Sequence, residues 1–114
     1  MVGLNDEFWQ GDKGHVSPHW LASKKLLPML GGNFFETEFY HTGVDNILQA
    51  QCERAGKYVW EPRAKIFHDH PMVYNYQKEN DALYEQAYSG PRKAHDDELY
   101  ARRMKELGLE NRKF

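Results

Sequence analysis

The chain has little of what would assign a protein to a class at sight. It contains one cysteine, Cys52, in 114 residues. An intramolecular disulfide and a cysteine-built zinc site are both excluded. No apolar run approaches the ~20 residues of a membrane-spanning helix, and Met-Val-Gly-Leu followed by Asn-Asp-Glu does not read as a secretory signal. The net charge is -2, from 15 basic and 17 acidic residues, and no basic stripe carries interleaved aromatics. A nucleic-acid partner is therefore not expected. No internal repeat and no low-complexity segment is present. What remains is a cytoplasmic globular protein of one small domain, for which a chain of this size buries roughly 65% of its unfolded surface.

Aromatic residues are plentiful, at 14% with seven Tyr and three Trp, side chains that often sit half-buried around ligands. Met1–Leu4 reads as a strand and Asn5–Ser17 as a long polar loop carrying Phe8 and Trp9. Loops of that length inside a small domain are usually functional or disordered. Ser17-Pro18 has the form of a helix cap followed by a first helical residue. The spacing predicts a helix from there through Trp20, Leu21, Leu26 and Leu27, ended by Pro28 and Gly31-Gly32. Asn33–Thr42 is aromatic, acidic and irregular.

The next helix is better defined. Val44, Ile47, Leu48, Cys52 and Ala55 recur with helical period, an apolar face on which Cys52 is a buried structural thiol. Asp45 stands in the first turn, off that face, where the helix dipole favours a carboxylate. Lys57–Trp60 and Ala64–Phe67 read as two short strands split by Glu61-Pro62-Arg63. Beyond Pro71, Asn80–Ser89 and Lys93–Leu107 read as helices separated by Gly90-Pro91. The last helix has Asp96, Asp97 and Glu98 early and Arg102, Arg103 and Lys105 late, an order that suits its dipole. It is expected to be packed on the body or to form an oligomer contact.

Chemistry concentrates between Gly43 and Pro71. A carboxylate at a helix start and the run His68-Asp69-His70-Pro71 leaving a strand place reactive groups at element termini, where they can meet in a cleft. His68 and His70 point to the same side of an extended chain, and in a polar cluster with the carboxylates of Asp45, Asp69 and Asp6 and the amide of Asn5 they could hold Mn²⁺, Mg²⁺ or Zn²⁺. Spacing alone also permits histidines in a hydrogen-bonded surface turn.

The order of the parts resembles the C-terminal, acceptor-side half of family 2-like GT-A glycosyltransferases. Leu30-Gly31-Gly32-Asn33-Phe34-Phe35 is similar to that family's Gly-Gly-x-Phe segment, and Asp45 to the acidic motif that begins a helix. The helix end Arg54-Ala55-Gly56 and the strand Pro62-Arg63-Ala64-Lys65-Ile66-Phe67-His68 follow in the family's order, and His15-Val16-Ser17-Pro18-His19-Trp20 is similar to the segment leading to the acceptor. The likeness spans roughly Met1 to Pro71. Two departures are plain: Val44 stands where the acidic motif usually has Glu, and the nucleotide-binding half with its Asp-x-Asp motif is not in this sequence.

The resemblance implies an α/β fold, a small mixed sheet with flanking helices. Residues 1–72 would form the acceptor-side half of a GT-A-like domain and 73–114 a helical C-terminal extension. It implies transfer of a sugar from a nucleotide-sugar donor to an acceptor hydroxyl, with Asp45 as the base. His68 and His70 would hold a divalent metal, Mn or Mg, once the nucleotide-binding half is present. Trp20, Trp9 and His19 would contact substrate. A partner chain carrying that half, or self-association into a homo-oligomer, is expected, and the isolated chain is expected to be inactive. The alternative is a non-catalytic binding or assembly protein derived from the same half-domain.

Overall fold

Helix α1 (Val44–Arg54) is the element around which the others are arranged, because it buries two faces rather than one. Leu48 and Cys52, one turn apart, pack with Leu26 against Met1, Trp20, Ala22, Leu30, Phe34 and Tyr58. Ile47 and Ala50 face the other way and pack with Met104 and Leu109, flanked by Phe39, Tyr100 and Leu107. The apolar stripe read from the sequence is thus two stripes serving two clusters. Each fully buried aliphatic side chain contributes about 1.5–3 kcal/mol relative to exposure.

The computed structural model describes residues 1–7, 16–67 and 86–111. These form a mixed α/β domain with a three-stranded sheet in the order β2-β1-β3. Strand β1 (Val2–Asn5) is central; β2 (Trp20–Leu21) pairs with it antiparallel and β3 (Val59–Lys65) pairs parallel. Trp20 of β2, with Met1 and Tyr58 that flank β1 and β3, packs against α1. Helix α2 (Gly90–Glu106) covers the opposite side of α1. Gly3 lies where the sheet is pressed closest, since a Cβ there would collide with the Tyr58 ring and meet Ser17 Cβ at 3.0 Å.

The sequence misleads at three places. The helix expected from Ser17-Pro18 does not form. Ser17 is buried and its hydroxyl serves the carbonyls of Leu4 and His19, while Leu4 N–H donates to His19 O at 2.8 Å and draws the following residues into β2. The ladder to β1 outweighs the local capping signal, and only a 3₁₀ turn, Lys24–Leu26, remains, capped by Ser23. The two strands expected around Glu61-Pro62-Arg63 are one continuous strand. Its register slips between Leu4, opposite Glu61, and Asn5, opposite Lys65. Such an irregularity, on a strand paired on one side among the described residues, is where a proline is tolerated. Finally, Gly90-Pro91 opens α2 instead of preceding it, with Pro91 in the first turn, where a missing N–H costs nothing.

The ends of α1 follow simple chemistry. Gly43 takes the N-cap position at φ 87°, a left-handed conformation that favours glycine. At the other end Lys57 N–H returns to Cys52 O at 2.7 Å around Gly56, also at positive φ, the pattern by which glycine closes a helix. Cys52 is buried, as its place on the apolar stripe predicts, and burial pushes its thiol up from the ordinary value. Substituting Leu48 or Ile47 by Ala is expected to cost about 2–5 kcal/mol each, measured by urea unfolding. A cost under about 1 kcal/mol at either position would mean that α1 does not join the two clusters.

Candidate functional site

A cleft of about 350 Å³ opens beside the first turn of α1, lined by Phe35, Glu36, Phe39, Tyr40, His41, Val44 and Asp45. Five of these seven come from the irregular segment that precedes the helix, and the last two from the helix itself. The wall is therefore a loop, and its shape depends on what holds that loop.

Asp45 is the cleft carboxylate that burial perturbs. Its Oδ1 accepts a hydrogen bond from the indole Nε1–H of Trp20 at 3.2 Å. Oδ2 has no partner among the described residues. Burial raises the carboxyl above its ordinary value; the Trp20 bond and the neighbouring His41 and His19 act in the opposite direction without cancelling it. A carboxylate in such surroundings is a stronger proton acceptor than one in water. Trp20 is itself held by rings, Phe34 at 5.8 Å and Phe35 edge-on at 5.4 Å. Gln49, wholly buried on α1, accepts from Ser17 N–H at 2.8 Å and so fixes the chain leading into β2, on which Trp20 sits.

The loop wall is held from behind by α2. Asp96, 1% exposed, accepts from three consecutive backbone N–H groups, Tyr40 at 2.9 Å and His41 and Thr42 at 2.8 Å each. His95 Nδ1 lies 3.2 Å from the same carboxylate. Burial works against the charge, but these donors outweigh it and hold the pKa at about 2. Two turns on, Arg103 donates to Glu36 at 2.6 Å, to Glu38 at 2.7 Å and to Glu106 at 2.7 Å. The Glu106 and Glu36 carboxylates push the guanidinium pKa further above its usual range. At the mouth, His41 Nε2 lies 3.0 Å from the Tyr88 hydroxyl, and Arg92 sits 5.3 Å from the centre of the Tyr40 ring.

Of the residues singled out in the sequence, Asp45, Trp20 and His19 are brought to one neighbourhood. Trp9, His68 and His70 lie outside the described residues, as do Asp69 and Pro71. Among the described residues no group of three or more His, Cys, Asp or Glu side chains could hold a metal ion, and no helix is long and apolar enough to cross a membrane. Sequence reasoning missed His41, the aromatic wall of Phe35, Phe39 and Tyr40, and the anchors Asp96 and Arg103. The aromatic and acidic composition of Asn33–Thr42 was the available signal for the wall. For Asp96 there was none beyond its place on a helix. Compared with known protein families, with curated proteins and with solved structures, the chain matches none.

Two measurements check this geometry. Trp20→Phe removes the indole donor, which lowers the Asp45 pKa, and is expected to raise the Asp45 titration midpoint further, followed by carboxyl ¹³C NMR. Asp96→Asn is expected to cost about 1–3 kcal/mol near neutral pH, because buried N–H groups lose a charged acceptor. The depressed pKa of Asp96 contributes stability above the unfolded carboxylate value near 3.9, lost as pH falls through about 2. The stability gap between wild type and Asp96→Asn should therefore close as the pH falls through that range.

Proposed function

We propose that this chain is the acceptor-side portion of a glycosyltransferase, which moves a sugar from a nucleotide-sugar donor to an acceptor hydroxyl when a nucleotide-binding half is supplied. The observation that supports it most directly is the half-buried Asp45 carboxylate, held by the Trp20 indole at the end of an aromatic-lined cleft. The order of sequence motifs around Asp45 points to the same chemistry.

In this reading Asp45 takes the proton from the acceptor hydroxyl as that oxygen attacks the sugar. With Oδ1 fixed by the indole, Oδ2 is the oxygen that receives the proton, and the bond to Trp20 sets its direction. General-base assistance of this kind contributes about 10²–10⁴-fold. Trp20 acts here mainly as an orienting donor, because its ring already lies against Phe34 and Phe35. Phe35, Phe39 and Tyr40 would then offer the apolar platforms for a sugar ring. Glu36 and His41, also on the wall, can accept or donate bonds to acceptor hydroxyls. His19 tempers the charge of Asp45. His68 and His70 would be the ligands of a divalent metal, which neutralises a departing diphosphate, together with the nucleotide-binding half. The described residues by themselves do not supply that metal site.

A second reading, a non-catalytic assembly protein, is favoured by one specific feature. Leu21, Val2 and Val59 lie in register across the sheet, and Leu21 and Val59 are 66% and 61% exposed. An apolar row on an open sheet face suits a partner.

The deciding experiment is a transfer assay, with titration calorimetry of nucleotide sugar and Mn²⁺, on the chain alone and with a candidate nucleotide-binding partner. The chain alone is expected to be inactive. The pair is expected to transfer sugar, and Asp45→Asn to reduce the rate by about 10²-fold or more. Transfer that survives Asp45→Asn unchanged would remove the role given to Asp45. A stable oligomer by light scattering that binds no nucleotide sugar in any combination would favour the assembly reading.

A further inference from the structure

Asp96, Tyr100 and Arg103 fall at i, i+4 and i+7 of α2, one face of the helix. Each touches a different part of the segment that walls the cleft. Arg103 holds Glu36 and Glu38. Asp96 holds the backbone of Tyr40, His41 and Thr42. Tyr100 covers Gly43, where an added Cβ would meet ring and Cβ atoms of the tyrosine at 3.2–3.4 Å. Only Gly43 and Val44 separate the backbone gripped by Asp96 from Asp45.

From these contacts we infer that α2 presents a positioning face, Asp96, Tyr100 and Arg103, that sets the environment and direction of the Asp45 carboxylate through the loop and the N-cap. None of the three is a lining residue of the cleft. Three N–H donors converging on one carboxylate fix the peptide planes of residues 40–42 more tightly than a single bond could. The left-handed turn at Gly43 follows at once, and the ring of Tyr100 lies so close that a side chain there would have to displace it slightly. The approach of the chain to α1 is thus determined by α2, and with it how deeply Asp45 is set beside Trp20, His19 and His41. The C-terminal helix belongs to the site although it contributes no group to it. The inference rests on the cleft at Asp45 being the working site, but its test needs neither donor nor acceptor and can fail independently of sugar transfer.

The test is carboxyl ¹³C NMR of the full chain, reading the titration of Asp45 and the indole Nε1–H resonance of Trp20. The variants are Asp96→Asn, Arg103→Gln and Leu99→Ala. The groups facing Asp45 are the Trp20 indole and the imidazoles of His19 and His41; those facing Asp96 are His95 and the Thr42 hydroxyl. With its grip released the loop admits water to Asp45. Asp96→Asn is therefore expected to lower the Asp45 midpoint by about half a pH unit or more and to shift the Trp20 indole signal. Arg103→Gln should do the same more weakly, and it serves alone if Asp96→Asn does not fold. Leu99 is buried on α2 but belongs to neither set of contacts. Leu99→Ala should destabilise the fold while leaving the Asp45 midpoint in place. An unmoved midpoint in both Asp96→Asn and Arg103→Gln, or an equal fall in Leu99→Ala, would overturn the inference and reduce α2 to ordinary packing.

Discussion

One carboxylate and three peptide N–H groups fix the loop that walls the cleft. Asp96 lies on the last helix, and the N–H groups of Tyr40, His41 and Thr42 lie more than fifty positions earlier in the chain. An irregular loop has no ladder to satisfy its donors, so burying it requires an acceptor from elsewhere. A single ionised carboxylate is economical for this purpose: its oxygens can take several donors, and bonds to a charge are stronger than neutral ones. The burial of Asp96 would be costly without them. The loop and the aspartate therefore need each other, and their mutual satisfaction joins the C-terminal helix to the cleft.

That dependence explains what the sequence made legible and what it hid. Helix α1 was legible because Ile47, Leu48 and Cys52 repeat with its period and glycine marks both ends. Strand β1 was legible as a short apolar run, and the irregularity of residues 33–42 was legible from composition. The turn at Ser17-Pro18 was misread because its capping signal is local while the ladder to β1 is not. The same holds at Pro62, where a proline reads as a break until the register slip beside it is known. Local signals lose where tertiary pairing supplies more bonds than the local structure would.

Asp45 could be marked from position alone, since a carboxylate in a first helical turn is already favoured by the dipole. Its surroundings could not. Trp20 stood in a segment expected to be helical, and its indole meets Asp45 only because β2 forms instead. Asp96 was harder still. The dipole argument accounts equally well for Asp96, Asp97 and Glu98, yet only Asp96 is buried, while Asp97 bridges to Lys93 at the surface. Nothing in a one-dimensional pattern separates a carboxylate that suits a helix from one that organises a distant loop. The separation is made by the rotation of α2 on α1, fixed by Met104 and Leu109 against Ile47 and Ala50.

The buried Asp96 and the half-buried Asp45 show how one fold gives the same side chain opposite characters. Burial raises the pKa of both. At Asp96 three backbone donors and His95 answer it in full, and the group is locked as an anion with its oxygens spent. At Asp45 a single indole answers it in part, which leaves an oxygen and an elevated proton affinity. A group with spent oxygens can only hold structure; a group with one unspent oxygen in a cleft can exchange a proton with whatever enters. The difference between scaffold and site here is the number of donors each carboxylate meets, and the first aspartate supplies the geometry that keeps the second under-satisfied.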